Sequence, residues 1–260
     1  MPEDPYKAIQ TLLASSRPEE MRRGLELLKT EIGRMSSAEA KPLFELVSTL
    51  FYIDPLDRPD LVPILDDAVS LVVSFGAWVV PVLVEILDAG DVKAQLAIGH
   101  ALGRIGPSAI GPLIDAYTAS PDATRRAFVL YALGKIKSPQ IVKAAPLALD
   151  AAGSEDPELR DTAIRAIGKF AESIPPKELP ETLRLQFMER LRTGLADSSP
   201  VIRAKAVRSF GKLARHGHLS DSERESLRTI CQSLLGNDER FEWDRAYIVR
   251  KEADEALRHL

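Results

Sequence analysis

Residues 156–171 read DPELRDTAIRAIGKFA, and the fold follows from this stretch. Asp156 suits an N-cap, because its carboxylate accepts hydrogen bonds from first-turn amides, and Pro157 fits the first helical position. Leu159, Ala163, Ala166, Ile167 and Phe170 fall at i, i+4, i+7, i+8 and i+11, which is one apolar face of a helix. Asp161, Arg165 and Lys169 form a second stripe at i, i+4 and i+8, with the acid N-terminal to the bases, the favourable order. Alanine on the buried face lets another backbone approach closely. Gly168 is costly in a helix interior, so it relieves crowding or helps the chain turn.

The pattern recurs. Aligned on the glycine, DVKAQLAIGHALGRIG places Gly103, DATRRAFVLYALGKIK places Gly134, and SPVIRAKAVRSFGKLA places Gly211. A last copy, YIVRKEADEALRHL, keeps Val249 and Ala256 but has Arg258 where the glycine would fall. The intervals are 31, 34, 43 and 47 residues, lengthening through inserted turns and longer first helices. Asp91, Asp122 and Asp156 sit twelve positions before the glycine; Arg126, Arg160, Arg203 and Arg250 sit eight before it, where the first copy has Gln95. The preceding helices VVPVLVEIL, AIGPLIDAY and AAPLALDAA carry Pro81, Pro112 and Pro146 early, where a missing amide costs little.

Across the chain, apolar spacing predicts fourteen amphipathic helices and no strand alternation. They fall at 3–14, 18–33, 37–52, 58–75, 77–88, 91–104, 107–119, 122–136, 139–152, 156–173, 177–196, 199–214, 220–235 and 242–259. These make seven antiparallel pairs joined by short polar turns. A pair of this length cannot bury its own apolar face, so neighbours must stack. The expectation is a single all-α array over 1–260, with 1–60 divergent and 61–260 clearer.

These residues resemble HEAT repeats. The pattern D-P-x-x-R-x-x-A-x-x-A-[LI]-G-[KR]-[IF] is similar to the short HEAT-like subclass named after phycobilisome lyases. The resemblance covers about residues 60–260 well, and departs from the family in the last copy's missing glycine and in the insertions before Pro200 and Phe241. It implies a right-handed α-solenoid, armadillo-like in architecture, whose second helices line the concave face. It implies a binding surface more than a reaction.

Composition agrees with such a chain. Hydrophobic residues make up 45% of 260, enough for a sizeable core, while aromatics are 6%, so that core is built from Leu, Ile, Val and Ala. A net charge of −4 argues against a chain dedicated to coating nucleic acid. The single cysteine, Cys231, precludes an internal disulfide and reads as a core thiol; with no secretory leader in MPEDPYKAI, a cytoplasmic setting is expected. Residues 68–87 hold one charge in a run of membrane-span length, but Gly76 and Pro81 punctuate it. Two short core helices meeting at Gly76 are predicted, and no membrane segment.

Catalytic and metal-ligating constellations are thin, and neither catalytic residue nor cofactor is expected. His216 and His218 read as solvated loop histidines with no acid or cysteine at ligand spacing, and no His-Glu dipeptide suggests a di-iron site. Trp78 and Trp243 lie far apart, as core or cap residues, and do not frame a base-flipping pocket.

The electrostatic signal is stronger. From Ser198 to Leu219 there are five bases and no acid. Lys205, Arg208, Lys212 and Arg215 lie at i, i+3, i+7 and i+10 on one helical face. Arg165 and Lys169, Tyr131 and Lys135, and His100 and Arg104 hold the equivalent stripe in earlier copies. Stacking aligns them into a basic ridge, set against acids of the following helix at Asp221, Glu223 and Glu225. Arg126, Arg160, Arg203 and Arg250 are expected instead to pair with acids of adjacent turns as a structural ladder. The chain therefore reads as a protein-binding scaffold whose partner offers an acidic segment to Lys135, Arg165, Lys169, Lys205, Arg208, Lys212 and Arg215. The alternatives are a bilin-lyase-type enzyme subunit and a nucleic-acid binder using the same ridge.

Overall fold

The computed structural model describes residues 5–36, 39–88, 91–237 and 243–260, and among them fourteen α-helices and no strands. The helices are α1 (Pro5–Leu13), α2 (Pro18–Ile32), α3 (Lys41–Ser48), α4 (Val62–Ser74), α5 (Val80–Glu85), α6 (Val92–Ile105) and α7 (Ile110–Ala119). They continue as α8 (Ala123–Leu133), α9 (Ala145–Ala151), α10 (Pro157–Ser173), α11 (Glu181–Leu195), α12 (Pro200–Arg215), α13 (Asp221–Leu235) and α14 (Tyr247–Leu257). The helix starts expected at 3, 37 and 242, and the insertion at Phe241, lie outside the described residues. Two compact units divide the chain, Met1–Pro112 and Leu113–Leu260, with the division inside α7.

Helix starts follow the sequence signals. Asp91 accepts from the amides of Lys93 and Ala94 at 2.9 and 3.0 Å, Asp122 from Arg125 at 2.7 Å, and Asp156 from Leu159 at 2.8 Å. Each satisfies first-turn donors that the helix cannot. Where prediction and structure differ, proline and aspartate explain it. The helix expected over 139–152 is a 3-10 turn (Pro139–Ala144) before α9, which starts with Pro146 in its first turn. The one expected from 177 starts at Glu181, because Pro175, Pro176 and Pro180 bias the residues before them away from helical angles. Before α14, Asp244 accepts from the amide of Ala246 at 2.9 Å and holds that stretch as a turn.

In the first unit, the apolar run at 68–87 breaks as predicted. Gly76 takes φ 83°, a left-handed conformation open to glycine, and residues 59–74 and 77–85 meet at 102°. Among the described residues, no single helix is long and apolar enough to cross a membrane. Val72, Val79, Val80 and Leu83 are buried in this bend. α4 packs against α2 and α6.

In the second unit, α8, α10, α12 and α14 pack side by side as one layer, while α9 and α11 pack on each other behind it. The seam between α10 and α12 is the tightest. Ser209 on α12 donates its hydroxyl to the carbonyl of Ile164 at 3.0 Å, and a Cβ on Gly168 would stand 2.4 Å from that hydroxyl and 3.0 Å from the Ser209 backbone. Gly168 is therefore a packing glycine, and it relieves crowding. Ala163, Ala166, Ala204 and Ala206 are buried alongside.

Gly168→Ala is expected to destabilise the protein by about 1–3 kcal/mol, since the backbone facing it cannot retreat without breaking the Ser209 bond. On α7, a Cβ added at Gly111 would meet nothing within 4 Å, so Gly111→Ala should raise stability by about 0.5–1 kcal/mol. Paired urea-unfolding curves measure both, and equal effects would contradict the seam.

Candidate protein-binding face

The residue eight positions before the repeat glycine has one job in all five copies. Gln95 donates to the carbonyl of Leu87 at 3.0 Å and Arg126 to that of Ser120 at 2.7 Å. Arg160 reaches the carbonyls of Ser154 and Glu155, each at 2.9 Å; Arg203 reaches Asp197 and Ser198 at 2.9 and 3.1 Å; Arg250 reaches Asp244 and Arg245 at 2.7 and 3.0 Å. Each side chain satisfies carbonyls of the turn that leads into its own helix. The expected ladder of acids is present at two steps. Arg160 Nε donates to Asp197 at 2.9 Å, and Arg203 grips Asp244 through Nε and Nη2 at 2.8 and 3.0 Å. At the other two arginines an aromatic ring takes that side. Arg126 lies 5.0 Å from the centre of the Tyr117 ring, and Arg250 lies 4.2 Å from that of Trp243.

The cations assigned to the ridge do come together on the second-helix layer of the second unit, α8 through α14. They meet three carboxylates there, of which the sequence reading sets only Asp161 on the stripe. Lys205 pairs with Asp161 of α10, and Arg208 pairs with Glu252 of α14, with Nε 2.8 Å from Oε2. Lys212 lies 3.0 Å from Glu172 Oε1. Lys169 and Lys137 reach Glu172 Oε2 at 2.8 and 3.1 Å. The expectation that α13 supplies the neutralising acids is corrected. Glu223 is held by Arg184 at 2.9 Å and closes a capping box with Ser220, and Glu225 pairs with Arg228. Asp161 likewise does not serve its own helix; its partner is Lys205, one repeat on.

Lys135 and Arg165 differ from the rest. Both lie over the Tyr131 ring, at 4.8 and 5.6 Å from its centre. Burial pushes the Lys135 ammonium below its usual range, and the neighbouring Arg165, Lys169 and Lys137 push it further. Arg215 is exposed and contacts the His259 ring. His100 and Arg104 belong to the first unit, where Arg104 pairs with Asp66 and donates to Ser70 at 2.9 Å.

Glu172 is the hub that sequence reasoning missed. Burial pushes its carboxyl up, but hydrogen bonds from Lys169, Lys212 and Lys137 outweigh it and hold the group down at about 2. One carboxylate cannot neutralise three ammoniums. Lys212 shows the imbalance: burial and the neighbouring Lys169 bring it down to about 8 despite Glu172. The only sequence cue to this hub was an acid three residues after Lys169. Between α12 and α14 the layer opens into a groove of about 340 Å³, lined by Arg208, Lys212, Arg215, Lys251, Glu255 and His259 among others.

One expectation is overturned at the α12–α13 turn. His218 is buried, not solvated; its Nε2 donates to the Ala171 carbonyl at 2.9 Å and ties that turn to α10. The two tryptophans divide between the roles expected of them. Trp243 is 52% exposed and covers Arg250 as a flat cap, while Trp78 packs inward, edge-on to Phe75 at 5.5 Å.

Asp244 is held below the usual carboxylate range by Arg203, and Glu172 is held there by its lysines. A lowered folded-state value stabilises above the unfolded value, near ~4 for such carboxyls, and is lost as pH falls through the folded one. Stability measured by thermal melting should therefore begin to fall as pH drops below about 6.5, because burial disfavours protonated His216 and His218 in the folded chain, and fall further between about pH 4.5 and 2 as the paired carboxylates are protonated. Glu172→Gln should lessen that dependence. Arg203→Lys should cost about 2–4 kcal/mol, because one ammonium cannot serve two carbonyls and a carboxylate as the fork does.

Residues 112–185 match the family model for HEAT repeats. No curated protein matches the chain. Among solved structures, an engineered protein is 19% identical over 98% of this chain and 96% of its own, at a TM-score of 0.51. The karyopherin Kap121p bound to Ste12p is 14% identical over 97% of this chain and 28% of that one, at 0.63. Kap95p, in a structure with RanGDP, is 15% identical over 98% and 35%, at 0.61. This chain thus spans about a third of either karyopherin or less. At these identities the likeness is one of fold, an all-α solenoid, and the match to HEAT repeats is that of residues 112–185.

Proposed function

We propose that this chain is a non-enzymatic scaffold that binds an acidic segment of another protein on the second-helix layer of residues 113–260. One observation carries the reading. Lys135, Lys137, Arg165, Lys169, Lys205, Arg208, Lys212 and Arg215 share this layer, and the carboxylates paired with them there are Asp161, Glu172 and Glu252. The ion pairs consume part of the ridge and leave a surplus of positive charge on a chain whose net charge is −4. Such a local reversal of sign steers an acidic partner and fixes its register. The karyopherins of similar fold are seen with protein partners, Ste12p and RanGDP, which accords with a protein ligand.

The residues divide by role. Arg208 and Lys205 staple neighbouring helices through Glu252 and Asp161, so their part in binding is secondary. Lys135, Arg165 and Lys169 are the primary contacts, with Arg215 at the edge. The phycobilisome-lyase-type subclass remains our reading of the repeat pattern. Its motif falls on cap, carbonyl-binding and packing positions, so it describes stacking and not tetrapyrrole chemistry. A cytoplasmic setting remains our reading of a chain with one cysteine, Cys231, which is buried and free.

Affinity capture from a native lysate, with bound proteins identified by mass spectrometry, tests this. Lys135→Glu with Arg165→Glu should remove acidic partners; because Arg165 of α10 also contacts the Tyr131 ring of α8, the melting temperature of the variant is measured alongside to separate lost binding from lost packing. Partners retained by that double variant and by Lys169→Glu would overturn the reading. Binding of the captured partner should weaken several-fold between about 50 and 300 mM salt, because exposed charges are screened over roughly 10 Å at 0.1 M.

A further inference from the structure

We propose that the cluster of Lys137, Lys169 and Lys212, with Arg165 beside it, seats a phosphate monoester carried on the acidic partner segment. This deepens the function proposed above and rests on it.

Three observations favour a phosphate over a further carboxylate. The first is stoichiometry. The ammoniums of Lys137, Lys169 and Lys212 all converge on Glu172, at 3.1, 2.8 and 3.0 Å, through both carboxylate oxygens. Each ammonium has three donors and gives one to Glu172, and of the three Lys137, with its side chain 63% exposed, presents its remaining donors to solvent. A second carboxylate would remove one unit of the charge excess; a phosphate monoester carries close to two and offers three acceptor oxygens.

The second is crowding. Lys135 and Lys137, in the turn that follows α8, lie near Arg165 and Lys169 of α10, and burial lowers the two desolvated ammoniums, Lys135 and Lys212. Cations already desolvated and held together by the fold gain more from an added anion than flexible surface lysines do. Their cost of assembly is met by folding.

The third is orientation. The guanidinium carbon of Arg165 lies 5.6 Å from the centre of the Tyr131 ring, a contact that restrains this side chain one helical turn before Lys169. A guanidinium so restrained can offer its fork of donors to phosphate oxygens. Leu130, Tyr131, Gly134 and Ala166 line a shallow depression between α8 and α10, with Lys135, Arg165 and Lys169 on its rim.

The probe is a degenerate Asp/Glu-rich peptide library with serine, glutamate or phosphoserine fixed at its centre, read by fluorescence anisotropy on the full chain. The phosphoserine pool should bind about tenfold tighter than the glutamate pool, the increment of one added charge-assisted contact. Lys137→Ala, whose side chain is 63% exposed and safe to remove, should lower that preference, and Lys137→Ala with Arg165→Ala should abolish it. Lys251→Ala, in the groove by α14, should leave it unchanged. Equal binding of the three pools would overturn the phosphate seat while the acidic-segment reading stood. Binding of no pool would overturn both. A phosphoserine preference that survives the double variant would place the seat elsewhere and overturn this assignment. RNA of matched length bound as tightly through the same residues would overturn the peptide commitment.

Discussion

The structure depends on how the chain satisfies carbonyl groups at each turn between paired helices. Every helical hairpin ends its first helix with acceptors that no helical amide can reach. In this chain a single register position solves the problem five times, with Gln95, Arg126, Arg160, Arg203 and Arg250 donating back to the turn that precedes their own helix. Because the donor sits on the second helix and the acceptors lead into it, the contact sets the angle at which each pair closes. Arginine does this better than any other residue. Its fork holds two carbonyls with one nitrogen and leaves the other face for a carboxylate or an aromatic ring.

That spare face is how one repeat finds the next. Arg160 takes Asp197 and Arg203 takes Asp244, and in each case the acid lies in the turn of the following repeat, whose carbonyl or neighbouring amide is also engaged. Intra-repeat closure and inter-repeat stacking therefore share atoms. The small-residue seam depends on this alignment. Gly168 can lie against Ser209 only if α10 and α12 meet at the height the arginine bridges dictate. Where the spare face meets a ring instead, as at Arg126 on Tyr117 and Arg250 on Trp243, the array has its variant steps.

Much of this was legible in the residues. The caps Asp91, Asp122 and Asp156, the helix count and the break at Gly76 are local events, fixed by neighbours within a few positions, and periodicity reports such events well. The ladder at Arg160 and Arg203 was legible because it repeats. What the sequence concealed was pairing across repeats. Asp161 stands four residues before Arg165 and looks like its partner, yet it bonds to Lys205 of the next repeat. Glu172 and Glu252 showed no periodicity, so nothing marked them as the acids of the ridge. His218 looked solvated because its turn is polar, and only the return of that turn onto Ala171 buries it. Each of these depends on separations of about 40 residues, a distance over which one helical period drifts out of phase with the repeat interval.

The cross-repeat pairs also decide what the surface can do. A stripe of bases on one helix is ordinarily a solvated face, and an ion pair for every base would have made this one electrically silent. The pairing instead stops short. α12 spends Lys205 and Arg208 on its neighbours and shares Lys212 with two other lysines at Glu172, while α8 and α10 set Lys135 and Arg165 against an aromatic ring, which holds a cation without cancelling it. Charge used for stacking is fixed in place, and charge left over is fixed with it, because both sit on the same helices. The residual field is thus built at the spacing of the repeats. A partner that matches it meets groups whose entropy was lost during folding, and the recognition surface is a by-product of the contacts that hold the array together.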